Sequence, residues 1–381
     1  MADAALTDGA PPCKKVAPPV SCPEVYLTKP PQPKKKKPGQ LTAEQVDQFF
    51  EEGYVLVKDF FTPEELQPVR DAVEDLVDKL AEKMHKAGKI KDTHKGAGLF
   101  QRLTLLEKEF PGTAVILHKW GKLPQAFRDL WTNERLLNAV EQFVGPNIAG
   151  HPVWNLRTKT PSNEQVTVPW HQDNAYLQPA SLGTLQPTAW IPLLNATTKN
   201  GCMQILRGGH KKGMTAPHVC CAGGTWYVEL SEEDMEETLG CDLKKDIVTC
   251  EVPYGGVLFL NNCIPHRSLE NYSDEIRWSL DLRWQDPAKP SGFWGDKKHI
   301  LMRTEGDPGY KPVWDGFVDV TKTLQYEEKM KGLGVDQESD DDEFNPTIQG
   351  PWMLRWKIVH HNRHTKGIEE GHDKMSTWHK A

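Results

Sequence analysis

No apolar run in this sequence of 381 residues approaches the roughly 20 residues that a transmembrane helix needs. The first 20 residues also lack the apolar stretch that a secretory signal would show. The eight cysteines follow neither metal-finger spacing nor an obvious disulfide framework. We therefore expect a cytoplasmic protein that has no membrane span and whose thiols are reduced.

Basic charge is not in excess either, because 46 lysine and arginine residues stand against 53 acidic ones and give a net charge of −7. A nucleic-acid partner is therefore disfavoured, since binding to phosphates requires clustered basic side chains. Aromatic residues are plentiful, with 13 Trp, 12 Phe and 8 Tyr. They supply enough material for a packed core and exclude a wholly disordered chain.

The first 40 residues differ in composition from the rest. They are rich in proline and lysine and include a run of four lysines at 34–37. Such a segment buries too little apolar surface to offset the entropy of ordering, so we predict a disordered arm over residues 1–40. The lysine run is interpreted as a solvated tail, with a nuclear-import signal or a contact to an anionic surface as the alternative.

Helices are expected to come first and strands to follow. Thr42 and Thr62 each begin a capping box, and apolar residues recur at helical spacing from 62 to about 83. A short strand, Tyr54–Val57, is predicted between these two helices. Beyond residue 148 short strand-like runs are separated by Gly, Pro and Asn, at 166–170, 188–194, 202–206, 246–252, 256–261 and 277–284. These runs favour an antiparallel sandwich or jelly roll over a parallel sheet.

The strongest chemical signal is the segment PWHQD at 169–173. Residues i and i+2 of a strand point the same way, so His171 and Asp173 would present an imidazole and a carboxylate to one point. His266, which follows the apolar run 256–260 closely, is the candidate third ligand. Two histidines and one carboxylate on one face of a metal leave adjacent positions open, as in non-haem Fe(II) oxygenases.

Arg277 begins the last predicted strand, and its planar fork suits bidentate binding of a carboxylate. That strand alternates strictly along its length. Its apolar face consists of Trp278, Leu280, Leu282 and Trp284, and its polar face of Arg277, Ser279, Asp281 and Arg283.

Blocks of sequence around these residues resemble the phytanoyl-CoA dioxygenase family, which depends on Fe(II) and 2-oxoglutarate. The blocks are LTAEQVDQFFEEGYVLV at 41–57, PWHQD at 169–173, AWIPLLNATTKNGCMQILRGGHKKG at 189–213 and PHRSLENYSDEIR at 265–277. The resemblance implies a mainly β fold with flanking helices around a double-stranded β-helix (jelly-roll, cupin-like) core. It implies a domain over 41–300 that carries its helices at the N-terminal end. A C-terminal extension, 301–381, would pack on the core and contain an acidic loop near 336–343.

The resemblance also assigns roles to individual residues. His171, Asp173 and His266 become the iron ligands, and Arg277 the residue that binds the distal carboxylate of 2-oxoglutarate. Further contacts to the cosubstrate are implied for Ser268, Trp190, Gln172 and Lys119. Arg157 and Lys159 are alternatives to Lys119, and each of these three basic residues is equally interpretable as a surface or salt-bridged side chain.

The implied activity is hydroxylation of an unactivated C–H bond in a small-molecule or acyl-chain substrate. It requires Fe(II), 2-oxoglutarate and O2, with ascorbate in support, and releases succinate and CO2. The presence of Asp173 argues against a halogenase, because those relatives lose this carboxylate. Four tryptophans of the C-terminal region would either cover the barrel mouth or pack in the core: Trp294, Trp314, Trp352 and Trp356.

Other classes of function remain open at this point. The chain could be a dioxygenase acting on a protein or nucleic-acid side chain, or a catalytically silent jelly-roll binding module. A zinc hydrolase could also use two histidines and an aspartate, but it would leave Arg277 unexplained. No feature of the sequence specifies a CoA ester or an oligomeric state.

Overall fold

The computed structural model describes residues 20–335 and 343–368. The α-helices are α1 (Pro23–Leu27), α2 (Ala43–Glu52), α3 (Pro63–Lys86), α4 (Arg102–Glu109), α5 (Thr113–Trp120), α6 (Gln125–Trp131), α7 (Glu134–Val144), α8 (Glu232–Glu237), α9 (Leu243–Asp246), α10 (Lys322–Gly332) and α11 (Trp352–Arg355). The strands are β1 (Tyr54–Val57), β2 (Ile148–Gly150), β3 (Asn155–Lys159), β4 (Thr188–Pro192), β5 (Met203–Leu206), β6 (Val219–Cys220), β7 (Val228–Glu229), β8 (Ile247–Cys250), β9 (Val257–Leu260), β10 (His266–Ser268), β11 (Arg277–Gln285), β12 (Ile300–Arg303) and β13 (Lys357–Ile358).

The larger sheet has the order β1-β9-β4-β11-β2-β12, and β3 pairs with the first half of β11. A second sheet has the order β10-β5-β8, and an isolated antiparallel bridge joins His171 to His266 at its edge. A third, small sheet has the order β13-β6-β7. All strand pairs in the two principal sheets are antiparallel. Antiparallel sheets with flanking helices confirm the predicted fold class.

Local sequence signals explain most of these elements. Both predicted capping boxes are present, at the start of α2 and at the start of α3. In each, the threonine hydroxyl accepts a hydrogen bond from the backbone N–H of the third helical residue, and the side chain of that residue accepts one from the backbone N–H of the threonine. The predicted run 166–170 is not a strand, because Glu164–Val166 form a short 3-10 helix. Pro169 follows and has no N–H to donate to a ladder.

Strand β11 lies at the centre of the larger sheet and is buried along its whole length. Its apolar face, which includes Trp278 and Trp284, joins the main core together with apolar residues of the helix α3, such as Val69 and Leu76. Its polar face is equally buried and lines an internal cavity, where Arg277, Asp281 and Arg283 lie. The strict alternation of β11 therefore places charged side chains inside the jelly roll.

The prediction of a disordered arm is wrong for residues 20–40, while residues 1–19 lie outside the described residues. Tyr26 of α1 is fully buried, and its hydroxyl donates a hydrogen bond to the carbonyl of Leu182 (2.8 Å). Lys37 forms an ion pair with Glu141 at 2.6 Å. The average composition of the segment conceals these specific contacts, which attach the segment to the domain.

Two further expectations concern thiols and membranes. Cys220 and Cys221 form a disulfide between adjacent residues, which contradicts the expectation that all thiols are reduced. Sequence spacing gives no sign of such a pair, because adjacent cysteines fit no disulfide framework. Within residues 20–335 and 343–368, no helix is both long and apolar enough to cross a membrane.

Candidate metal and cosubstrate site

His171, Asp173 and His266 come together inside the jelly roll, and their potential ligand atoms all lie within 4.8 Å of one another. The Nε2 atom of His171 is 3.7 Å from Asp173 Oδ1, and the Nε2 atom of His266 is 3.9 Å from the same oxygen. The two imidazole centroids are 4.2 Å apart. Two ring nitrogens and one carboxylate oxygen therefore converge on one point.

Hydrogen bonds fix which nitrogen of each ring is available. The Nδ1 atom of His171 lies 2.8 Å from the carbonyl of Pro169, and that of His266 lies 3.0 Å from the carbonyl of Ile264. A carbonyl only accepts, so each Nδ1 carries the proton and each Nε2 keeps its lone pair. Burial, together with His171, lowers the pKa of His266 to about 4, so its ring is neutral near pH 7. This is the state in which imidazole binds a metal.

Asp173 is held as a carboxylate by its second oxygen. Oδ2 accepts hydrogen bonds from Arg283, with Nη2 at 3.0 Å and Nε at 3.2 Å, and from the hydroxyl of Thr188 at 3.3 Å. Burial alone would raise the pKa of Asp173, but Arg283 and the two histidines outweigh it and hold the pKa well below its usual range. Oδ1 is left facing the histidines. The donor set thus consists of two ring nitrogens and one anionic oxygen, which fits a divalent iron.

The local backbone differs from the expected strand. His171 pairs with His266 through reciprocal backbone hydrogen bonds of 3.0 and 2.9 Å. Asp173 instead begins a short 3-10 helix, Asp173–Tyr176. Gln172, between the two ligands, is still extended (φ −104°, ψ 137°), so His171 and Asp173 project to the same side and the turn begins only at Asp173. The salt bridge to Arg283 then orients the carboxylate.

Arg277 lies beside this cluster in a cavity that it shares with His171, His266, Ser268 and Trp190. Its guanidinium is 2% exposed, donates one hydrogen bond to Ser279 Oγ at 2.7 Å and lies 5.1 Å from the centre of the Trp190 ring. Its Nε has no hydrogen-bond partner. Among the residues that the structure describes, no carboxylate lies within 4.0 Å of the guanidinium. A buried, unpaired guanidinium fits the far carboxylate of a dicarboxylic acid.

Two of the residues expected to contact the cosubstrate lie elsewhere. Gln172 points away from the cavity: its side chain donates to the carbonyls of Met214 and Cys263 and accepts from the N–H of Ala216. Lys119 is on α5, where it forms an ion pair with Glu327 at 3.4 Å. Both assignments are therefore corrected. Adjacent residues turn to opposite sides where the chain is extended, so Gln172 cannot share the direction of His171.

The two alternatives to Lys119, which are Lys159 and Arg157, differ in their position relative to the cavity. Lys159 donates to the backbone carbonyl of Leu269 at 2.5 Å and to Thr167 Oγ1 at 3.2 Å. Arg157 lines the cavity and forms an ion pair with Asp281 at 2.7 Å. Of the three basic residues, Arg157 is therefore the one at the site.

Sequence reasoning gave no role to Asp281 or Arg283, which complete the polar wall of the site. Asp281 binds Arg157 and lies 3.9 Å from Arg283, which in turn holds Asp173. The signal was present in the alternation of β11, because both residues share the face of Arg277. Three side chains of that face, Arg277, Asp281 and Arg283, line the cavity.

A second cavity adjoins the first: Arg157 and Arg283 line both cavities, and Asp173 lines the second. Aromatic side chains form much of its wall: Tyr176, Trp226, Tyr227, Tyr326 and Trp352. Two of them, Tyr326 and Trp352, belong to the C-terminal region, and their rings are 5.0 Å apart. Of the four C-terminal tryptophans, Trp352 therefore lines a cavity, whereas Trp314 packs against Trp131 with centroids 6.0 Å apart.

Comparison with known proteins places the cluster in context. The family model of phytanoyl-CoA dioxygenase (PhyH) matches residues 49–279 of this chain. The phytanoyl-CoA dioxygenase domain-containing protein 1 homolog of Dictyostelium discoideum is 24% identical over 266 residues, which are 64% of this chain and 91% of that protein. The 1-deoxypentalenic acid 11-beta-hydroxylase of Streptomyces arenae is 27% identical over 288 residues, 70% of this chain and 92% of that protein. The peroxisomal phytanoyl-CoA dioxygenase of Homo sapiens is 28% identical over 327 residues, 84% of this chain and 82% of that protein.

Proposed function

Because the chain belongs to the phytanoyl-CoA dioxygenase family and is an Fe(II)- and 2-oxoglutarate-dependent dioxygenase, we propose that His171, Asp173 and His266 hold its iron. The observation that carries this proposal is the convergence of two Nε2 lone pairs and one carboxylate oxygen within 4.8 Å. The family match spans all three residues. When bound, iron supplies with O2 the oxidative chemistry that turns 2-oxoglutarate into succinate and CO2 and hydroxylates a substrate C–H bond.

The protein's own side chains position the reactants. Arg277 binds the far carboxylate of 2-oxoglutarate, and the buried indole of Trp190 keeps water from that ion pair. The hydroxyl of Ser268, which accepts a hydrogen bond from the N–H of Val168 at 3.1 Å, lines the same cavity and keeps its own proton to donate. Arg283 fixes the rotamer of Asp173, so that one carboxylate oxygen faces the metal position.

The substrate class follows from the second cavity, which begins at Asp173 and leads away from Arg277. The relatives named above act on phytanoyl-CoA in one case and on 1-deoxypentalenic acid in another. We infer a small-molecule or acyl-chain substrate that enters this cavity and presents a C–H bond to the metal. The cytoplasmic location and the support by ascorbate stay predictions, and fractionation of expressing cells and omission of ascorbate from the assay would test them.

The test is formation of succinate by the purified protein with Fe(II), 2-oxoglutarate and O2. We expect succinate from the wild type, none above background from His171→Ala, and a far higher requirement for 2-oxoglutarate in Arg277→Ala. The variant Lys119→Ala is a matched control, because its side chain is paired with Glu327 outside the cavity. Succinate from His171→Ala at the wild-type rate would overturn the assignment.

A further inference from the structure

One basic side chain in the wall of the second cavity, Lys322, has no acidic partner among the described residues. Lys322, the first residue of α10, lines this cavity together with the aromatic side chains Tyr176, Trp226 and Trp352. Its amine donates hydrogen bonds to the carbonyl of Trp154 at 2.8 Å and to Oδ1 of Asn155. Both acceptors are neutral. No carboxylate of residues 20–335 or 343–368 lies within 4.0 Å of this amine.

The other cations of the cavity are already neutralised. Arg157 is paired with Asp281 at 2.7 Å, and Arg283 with Asp173 at 3.0 Å. The histidines add no positive charge, because burial lowers the pKa of His118 to about 3 and that of His151 to about 4. Lys322 is thus the unpaired cation of the cavity wall, and an ammonium ion has three donors of which two are used.

A continuous polar row connects Lys322 with the metal position. Lys322 donates to Asn155, and the amide of Asn155 donates to Asp281 Oδ2 at 3.3 Å. Asp281 lies 3.9 Å from Arg283, which holds Asp173. One wall of the cavity is therefore polar from the metal cluster to Lys322, while the aromatic rings form much of the remaining wall. A ligand that fills the cavity meets one free positive charge and a largely apolar surface.

We propose that the substrate is a small organic carboxylate whose carboxylate group binds Lys322 and whose apolar body contacts the aromatic wall. The proposal rests on the proposed function, since it takes this cavity as the place where the substrate meets the metal. A single free amine donor suits a carboxylate, whereas a phosphate favours several donors and the guanidiniums here are occupied. An acyl-CoA would bring an uncharged thioester and acyl chain to this wall and leave the amine unpaired.

Burial and the two neighbouring guanidiniums also bear on Lys322. They lower the pKa of its amine well below the ordinary value. An anion beside the amine would offset both effects, because opposite charge at short range favours the protonated form. C-terminal residues thereby acquire a function in selecting the substrate: Lys322 supplies the charge, and Tyr326 and Trp352 supply apolar surface.

The test uses the full chain loaded with Mn(II) and 2-oxoglutarate, which fill the metal and cosubstrate positions without turnover. Binding is followed by the change in tryptophan fluorescence of the protein, because Trp226 and Trp352 lie in the cavity wall. The probes are three acid–amide pairs: benzoate and benzamide, phenylacetate and phenylacetamide, hexanoate and hexanamide. We expect at least one carboxylate to bind about 10-fold or more tightly than its amide, since a hydrogen bond between two charged groups is stronger than one to a neutral group.

Variants at position 322 test whether the preference for the carboxylate over the amide depends on Lys322. Lys322→Gln keeps a donor for Asn155 but removes the charge, so it should abolish the preference for the carboxylate and leave the binding of the amide unchanged. Lys322→Arg should retain the preference. Lys297→Gln is the matched control, because Lys297 is a partly buried lysine that donates to the carbonyl of Val320 at 2.6 Å and lines a different cavity. It should behave as the wild type.

The outcomes separate this proposal from the proposed function. Equal binding of acid and amide in all three pairs would overturn the proposal, and so would a preference that survives in Lys322→Gln. Calorimetric titration of the same samples with 2-oxoglutarate provides the second readout. Lost 2-oxoglutarate binding in the wild type would refute the proposed function, whereas retained binding with no carboxylate preference would refute only the role of Lys322.

Discussion

Removing the charge of Arg277 should stabilise the fold and weaken the binding of 2-oxoglutarate at the same time. The guanidinium is 2% exposed and has no acidic partner within 4.0 Å in the described part of the chain. Burial lowers the pKa of Arg277 from its ordinary value to about 10, and a shift of this size corresponds to about 3 kcal/mol against the charged form. Arg277→Met should therefore raise the free energy of unfolding of the ligand-free protein by up to about 3 kcal/mol.

The same substitution removes the partner of the cosubstrate's far carboxylate. Truncating one side of a buried charge pair costs about 2–5 kcal/mol, so the Kd for 2-oxoglutarate should rise about 100-fold. Urea denaturation of the ligand-free protein measures the first effect, and calorimetric titration with 2-oxoglutarate under Mn(II) measures the second. A variant that is less stable than the wild type and still binds 2-oxoglutarate normally would refute the reasoning.

Arg283→Met is the matched control, because it removes a guanidinium from the same face of the same strand. Arg283 is paired with Asp173 at 3.0 Å, so its loss leaves a buried carboxylate without its cation. This costs about 3–5 kcal/mol of stability. The two substitutions should therefore change the free energy of unfolding in opposite directions. Equal signs would show that burial alone, and not the pairing of each arginine, determines the effect.

Three further predictions concern stability and cosubstrate affinity. Lys119→Ala should leave the KM for 2-oxoglutarate within about twofold of the wild type in a succinate assay, because the side chain of Lys119 is paired with Glu327 and does not line the cavity. A large increase in KM would restore Lys119 to the site. Gln172→Ala should lower the free energy of unfolding by about 3 kcal/mol in urea, because three buried backbone groups lose their partners. Unchanged stability would contradict its structural role. Burial lowers the pKa of His118 to about 3 and that of His151 to about 4, so between about pH 6.5 and pH 4 the unfolded chain binds protons that the folded protein does not. As the pH is lowered through this window, the free energy of unfolding should decrease by about 1.4 kcal/mol per pH unit for each histidine. A denaturation midpoint that stays constant would contradict this prediction.

The fold was predictable where one local signal decided the structure. The capping boxes at Thr42 and Thr62 specify helix starts through the backbone donors that they satisfy, and both are present. The alternation of β11 specifies a strand, although it does not show that both faces are buried. The N-terminal segment 20–40 escaped prediction because its ordering depends on tertiary contacts with residues distant in sequence, such as Tyr26 with Leu182 and Lys37 with Glu141. Average composition contains no information on such a contact.

The residues of the site likewise divide into those that the sequence predicts and those that it does not. His171, Asp173, His266 and Arg277 could be named because particular residue types at particular spacings are needed to bind a metal and a carboxylate. Gln172 was misassigned because proximity in sequence was taken for proximity in space. Lys322 and Trp352 lie far along the chain from the family motifs, and only tertiary packing brings them to the cavity. Residues that select a substrate carry no common pattern, so the sequence offered no signal for Lys322 and left Trp352 open between the barrel mouth and the core.

The most direct test of the central claim is the iron content of the protein after anaerobic loading with Fe(II) and 2-oxoglutarate. The account predicts a single iron per wild-type chain and loss of that iron in His171→Ala, Asp173→Ala and His266→Ala. His151→Gln, which alters a buried histidine of the adjoining cavity, should keep the metal. Full iron content in all three ligand variants would contradict the assignment of these side chains as the metal site.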